Sequence, residues 1–209
     1  MGCLSALFDI LQNKEMEQMN KRTVALTDQQ YIDIITAIKG GFCHAGREYQ
    51  PNERIAAALT LEANLGVRIS DILKLRFCDI IKDGDRFRLD ITEIKTDKKR
   101  IFTVPAEIRE FIDQYRINNH MSEQQRLFDL SERQVQKHLK AACDYLGLEG
   151  ISTHSFRKYF ATQIYINNDY NIELVRQLLQ HSNTAVTQRY IGIQQKQIET
   201  ALQNHVKLI

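Results

Sequence analysis

At 209 residues the chain fits one domain of ordinary size, or one domain with an appendage, and is long enough to bury a proper core. Its formal charge is +2 and it has no long polybasic run, which excludes a basic tail as the route to nucleic acid; any such surface must come from dispersed cations folded onto one face. Cys3, Cys43, Cys78 and Cys143 form no Cys-x-x-Cys pair and have no histidine at ligand spacing, which argues against zinc and against a disulfide framework and points to reduced thiols in the cytoplasm.

The opening segment, Met1 to Leu11, is apolar but short and lacks a basic leader, so it is neither a signal peptide nor a membrane span. Ala6 stands where a myristoylation motif needs serine or threonine. Residues 12–26, rich in Gln, Asn, Lys and Glu, read as a polar helix or linker, so the division is 1–26 as an apolar segment plus linker and 27–209 as the domain proper. Thr27-Asp28-Gln29-Gln30 is a capping-box pattern ahead of Tyr31, Ile34, Ile35 and Ile38, and that helix stops at Gly40-Gly41. Pro51 opens a second helix, with Ile55, Leu59 and Ala63 at helical period and Gly66 as its stop. Arg68 then lies between the glycine stop and a helix start at Ser70, and Ile72, Leu73 and Leu75 bury a short third helix. Asp71, in the first turn of that helix, is placed to brace the connection or to meet an active-site base.

After Asp79 the period changes from helical to alternating. Lys82-Asp83-Gly84-Asp85 is a hairpin turn, Phe87, Leu89 and Ile91 alternate with Arg86, Arg88 and Asp90, and Thr96-Asp97-Lys98-Lys99 makes a second turn before Arg100 to Val104. The result is a small three-stranded antiparallel sheet with Lys95 at the edge of its second turn. From Glu107 the chain is helical again, with Ile108, Phe111, Ile112 and Tyr115 on one face. Ser131 to Leu146 forms a helix ending at Gly147, and Thr153 is read as the N-cap of a helix on which His154 and Arg157, at i and i+3, share a face. Asn171 caps a helix holding Leu174, Val175, Leu178 and Leu179. A polar break at Ser182-Asn183 separates it from a short helix that carries Tyr190 two turns in. The last nineteen residues or so read as a helix with one apolar edge. Taken singly, Lys95 is a solvated turn residue, Tyr190 a surface tyrosine and His181 a cation capping a helix C-terminus.

Taken together and in order, Arg68 after a glycine, Lys95 in a β-turn, His154-x-x-Arg157, His181 and Tyr190 resemble the tyrosine recombinase family, the phage and transposon integrases and their chromosome-resolving relatives. The resemblance runs from about Leu26 to Ile191. It implies a mainly α fold with a small antiparallel sheet, the catalytic domain of DNA breaking and rejoining enzymes, without the core-binding domain that family members usually carry ahead of it. It implies attack by Tyr190 on a DNA phosphodiester, with Arg68, Arg157 and His181 on the non-bridging oxygens, His154 assisting proton handling and Lys95 protonating the departing 5′ oxygen. A phenol titrates near pH ~10, so such a nucleophile calls for an electropositive site. No metal, ATP or other cofactor is implied. The partners implied are double-stranded DNA, a homotetramer on paired sites and accessory DNA-bending proteins, with action at the nucleoid in a bacterial cytoplasm; the C-terminal tail either docks on an adjacent protomer, linking subunits, or folds back on its own core. Two positions depart from the family pattern: Gln180 where a glycine often precedes the second histidine, and Lys158 where histidine is frequent. The alternatives are a type IB topoisomerase-like enzyme, or a DNA-binding module that performs no chemistry.

Overall fold

The computed structural model describes residues 23–191. The expectations for the apolar opening segment, most of the linker and the C-terminal tail lie outside the described residues. Among the described residues, eight α-helices and five strands follow in order: α1 (Asp28–Gly40), β1 (Phe42–His44), β2 (Arg47–Tyr49), α2 (Glu53–Leu65), α3 (Ile69–Ile72), β3 (Ile80–Asp83), β4 (Arg86–Thr92), β5 (Lys99–Val104), α4 (Ala106–Asn118), α5 (Glu132–Tyr145), α6 (Thr153–Asn167), α7 (Ile172–Leu179) and α8 (Thr184–Ile191). The mainly helical class with a β3-β4-β5 antiparallel sheet agrees with the sequence expectation.

Local rules explain most of the boundaries. Thr27 and Gln30 form the reciprocal capping box at the start of α1, and Ser131 with Gln134 repeats it at α5. Asn52 caps α2, so Pro51 stands two residues outside the helix it was expected to open. The N-cap of α6 is Ser152, one residue before the expected Thr153, and Arg68 itself rather than Ser70 stands at the N-cap of α3, in extended conformation. One element went unforeseen: the β1-β2 hairpin, whose strands are three residues each and too short to show a period. Its turn at Ala45-Gly46 places both residues at positive φ. The hairpin packs Phe42 and Tyr49, stacked at 4.7 Å, against His138 and Tyr145 of α5. Ahead of α1, Val24 donates its N–H to the Gly150 carbonyl and Leu26 is buried, so Thr23–Leu26 lie on the domain.

Two apolar clusters organise the helices. The larger joins α1, α2, α3, the sheet, α4, α5 and the start of α6 around residues such as Ile34, Leu59, Leu75, Leu89 and Phe156. The smaller gathers Ala161, Val175, Leu179 and Ile191, with Phe160, Ile164 and Tyr190 against them, and seats α7 and α8 on the outer half of α6. Helix α6 belongs to both, so it carries the relation between the sheet and the C-terminal helices. It closes on the residue that ends α2, Gly66, which adopts φ +58°; a β-carbon there would stand 2.3 Å from the Phe160 ring.

Replacing Gly66 by alanine therefore combines a left-handed backbone penalty with overpacking. We expect a loss of about 2–4 kcal/mol, read as a fall in the midpoint of thermal unfolding of several degrees.

Candidate active site

The short segments carrying the candidate residues converge where α2 ends, α3 begins and the β4–β5 turn folds over them. The centre of the convergence is Glu93, a residue the sequence reading had passed over. Its carboxylate is 1% exposed. Oε2 accepts from Arg68 Nη1 at 2.5 Å and from the Thr96 hydroxyl at 2.8 Å; Oε1 accepts from Arg100 Nη1 at 3.2 Å and lies 3.8 Å from Arg157 Nη1. Arg68 and Arg157, 89 positions apart in the chain, thus face one carboxylate. Burial alone would raise the Glu93 carboxyl, but the Thr96 hydroxyl and Arg68 outweigh it and hold the group below its ordinary value.

The three guanidiniums differ in what else they hold. Arg100 is fully enclosed, with Nη1 donating to the Gly66 carbonyl at 3.0 Å and Nη2 to the Leu65 carbonyl at 3.3 Å, groups left open at the C-terminal end of α2. Burial lowers its pKa to about 10, with the Arg157 charge acting the same way and Glu93 opposing. Arg157 Nη2 donates to the Leu179 carbonyl at the end of α7, while its Nη1, also buried, has no hydrogen-bond partner among the described residues. Arg68 keeps 20% of its side chain exposed. A donor left open in a buried guanidinium and a second guanidinium open to solvent suit an incoming anion.

Two further carboxylates frame the pair. Asp71 accepts from the Ile94 N–H at 2.9 Å and so ties α3 to the turn that carries Lys95; burial raises its pKa, partly opposed by that N–H. The brace expected of Asp71 is therefore directed at the Lys95 turn. Glu62 on α2 accepts from the Ile69 N–H at 3.1 Å, has its second oxygen unpartnered, and is pushed well above the usual carboxylate range by burial.

Tyr190 completes the pocket from α8. Asn183 caps that helix by accepting from the Val186 N–H at 2.9 Å. The phenol ring meets the His181 ring edge-on at 5.2 Å, and Lys158 Nζ stands over the same ring, 5.4 Å from its centroid. The charge of the Arg157 guanidinium acts on the hydroxyl and favours its ionised form. Burial nonetheless pushes the phenol up to about 12, because it outweighs Arg157, and Glu62 adds to the rise. The basic surroundings expected to favour a phenolate are present, yet in the DNA-free protein the hydroxyl is protonated at neutral pH.

His181 is neutral too. Burial, then Arg157 and Arg68, depress its pKa to about 4. Its Nδ1 lies 3.1 Å from the Thr187 hydroxyl, one turn into α8, and Thr187 is fully buried. The same hydroxyl lies 3.4 Å from the Asn183 carbonyl, to which it can donate while accepting from Nδ1–H; when it donates to Nδ1 instead, Nε2 carries the proton and is free to donate. His154 sits at the solvent-facing rim, its pKa lowered by its packing and then by Arg157, Lys95, Arg68 and Lys158. Lys95 is exposed, on the turn between Glu93 and Thr96. The structure therefore gathers Arg68, Arg157, His181 and Tyr190 in one pocket, with His154 and Lys95 at its edge. Glu93, Arg100, Glu62 and Thr187 were missed. Arg100 alone had a legible signal, its in-phase position with Phe102 and Val104 on the inward face of β5.

Gln180 occupies the left-handed position that ends α7, φ +56° and ψ +36°, the conformation for which a glycine would be usual. Among the described residues no group of three or more His, Cys, Asp or Glu side chains could hold a metal ion, and no helix is long and apolar enough to cross a membrane.

A sequence profile of the phage integrase family matches residues 24–197. The chain is 36% identical over 137 residues to the probable integrase/recombinase YoeC of Bacillus subtilis (strain 168), covering 62% of this chain and 72% of that one. Among solved structures it resembles the catalytic domain of bacteriophage HP1 integrase, with a TM-score of 0.60 at 18% identity, covering 88% of this chain and 96% of that one. It also resembles the XerH site-specific recombinase bound to a palindromic difH substrate in a post-cleavage complex, with a TM-score of 0.63 at 20% identity; the match covers 88% of this chain but only 53% of XerH.

The pH dependence of stability follows from His181. The unfolded chain takes up a proton on this residue near pH ~6.5, whereas the folded state resists until about 4. The contribution is flat above the unfolded value and is lost as pH falls between the two, because the unfolded state then binds more protons. Thermal unfolding from pH 8 to pH 4 should show His181→Gln losing less stability on acidification than the parent; parallel curves would refute the assignment.

Proposed function

The chain belongs to the phage integrase family, and from that premise we propose that it breaks and rejoins double-stranded DNA at specific sites through a 3′-phosphotyrosyl intermediate on Tyr190. The observation that carries this reading is the meeting of Arg68 and Arg157 at one carboxylate beside the Tyr190 hydroxyl.

In the attack, the bond from Tyr190 Oη to phosphorus forms while the bond from phosphorus to the 5′ oxygen breaks. Negative charge accumulates on the non-bridging oxygens. Planar guanidinium forks that stay charged at any working pH stabilise it, and Arg68 and Arg157 supply them where water is largely excluded. His181, neutral and held by Thr187, donates from Nε2 to the same oxygens in the tautomer in which the Thr187 hydroxyl donates to Nδ1. Because burial keeps the phenol protonated, its proton leaves during the attack rather than before it, and neutral His154 at the rim is the available acceptor. Lys95 delivers a proton to the departing 5′ oxygen. The ester on Tyr190 retains the energy of the broken bond, so another 5′ hydroxyl can reverse the step and seal DNA in a new arrangement without an external energy source. Two paired sites call for a homotetramer, and such an enzyme works at the nucleoid of a bacterial cytoplasm, with DNA-bending proteins as accessory partners.

The experiment is covalent trapping on a nicked suicide duplex. The parent chain should give a tyrosyl-DNA adduct, and Tyr190→Phe should give none while still shifting the duplex in a gel, with binding that weakens steeply as salt rises. An adduct formed by Tyr190→Phe would overturn the proposal, and a gel shift without any adduct from the parent would leave a binding module. Thr187→Val, nearly isosteric, should slow adduct formation about tenfold or more with binding unchanged, measured by single-turnover kinetics.

A further inference from the structure

Lys95 stands with its side chain in solvent, next to the half-exposed Ile94. A proton donor on a floppy turn is a poor one, since transfer requires hydrogen-bond distance to the departing oxygen. The turn is nonetheless held on both sides of the lysine. The Glu93 N–H donates to the Lys98 carbonyl at 3.0 Å and the Asp97 N–H to the Glu93 carbonyl at 2.9 Å, which closes the loop. The Ile94 N–H donates to Asp71. Thr96 donates its hydroxyl to the Glu93 carboxylate, which itself is fastened to Arg68 and Arg100 and faces Arg157.

We propose that Glu93 is the positioning residue for Lys95: its carboxylate docks the β4–β5 turn onto the arginine cluster, so that Lys95 reaches the departing 5′ oxygen only when Arg68 and Arg157 are in place. The inference rests on the reading of Lys95 as proton donor and of Tyr190 as nucleophile. It adds a coupling between the two halves of the chemistry, charge stabilisation on the non-bridging oxygens and protonation of the leaving group. Holding Arg100 in the core would by itself explain a buried carboxylate here. The two roles separate in a measurement that isolates the proton.

A suicide duplex with sulfur in place of the bridging 5′ oxygen provides it, because a thiolate departs without being protonated. Single-turnover adduct formation is measured on the oxygen and sulfur substrates, with thermal unfolding confirming that each variant is folded. Lys95→Ala should raise the sulfur-to-oxygen rate ratio about 100-fold, and Glu93→Gln, which keeps the shape and loses the charge, about tenfold, through a slower oxygen reaction. Arg68→Lys should slow both substrates and, because it removes one of the guanidiniums that fasten the carboxylate, also raise the ratio; an unchanged ratio there overturns the coupling. Should Glu93→Gln prove unfolded, Thr96→Val loosens the same carboxylate and should raise the ratio about threefold. A raised ratio for Lys95→Ala with an unchanged ratio for both Glu93→Gln and Thr96→Val overturns the inference and leaves the reading of Lys95 standing. An unchanged ratio for Lys95→Ala overturns that reading and the inference with it.

Discussion

One carboxylate surrounded by guanidiniums is the constraint on which this molecule depends. Arg68, Arg100 and Arg157 come from the α2–α3 connection, strand β5 and helix α6, and nothing in their own elements would bring like charges together. At the low effective dielectric of a buried site their mutual repulsion is substantial, and Glu93 supplies the attraction that offsets it. It does so incompletely: this one carboxylate faces three guanidiniums. The pocket is left with a surplus of positive charge, graded from enclosed Arg100 to open Arg68. That surplus is the physical basis for holding a phosphodiester in a chain whose overall charge is only +2.

The same burial that concentrates the positive field also keeps the nucleophile and the histidine beside it uncharged. Tyr190 is pushed up and His181 down, both away from neutrality and both toward their uncharged forms. The outcome is a site in which the enclosed charges belong to arginines, while the nucleophile and the histidine beside it stay uncharged. Such a pocket holds its field without a reactive phenolate standing ready in the absence of DNA. The uncharged imidazole also adds no further positive charge to a region already crowded with it.

How much of this could be read from residue order depends on the range of the interaction involved. Helix caps at Thr27, Ser131 and Asn171 act over three residues and were legible, as was the glycine stop at Gly66. The clustered motifs His154-x-x-Arg157 and His181 to Tyr190 were legible for the same reason, each being carried on one helix or one helix break. Glu93 was not. It sits at the end of a strand next to an obvious turn, where an acidic residue is ordinarily solvated, and only the arrival of Arg68 from 25 positions away makes it a centre. Arg100 presents an intermediate case. Alternation with Phe102 and Val104 puts it inward, but a charged residue at an inward position invites the opposite reading unless its partner is known. Thr187 and Glu62 are ordinary helical residues until the fold sets a histidine ring against one and a helix N-terminus against the other.

The departure at Gln180 bears on the same architecture. A non-glycine residue in the left-handed region costs roughly 1 kcal/mol, and glycine would remove that cost while ending α7 equally well. Glycine could not, however, make the bond that Gln180 makes: its Nε2 donates to the Lys99 carbonyl at 3.1 Å. Lys99 opens β5, directly after the turn that bears Lys95, and Gln180 immediately precedes His181. The side chain is thus a strut between the helix break that presents His181 and the strand that begins where the lysine turn ends. With Glu93 gripping that turn from the β4 side, the β4–β5 hairpin is tied at both ends to the elements that carry Arg68, Arg157 and His181. A local conformational cost at residue 180 is offset by a long-range contact, and the hairpin that holds the exposed lysine is registered against the pocket from both of its strands.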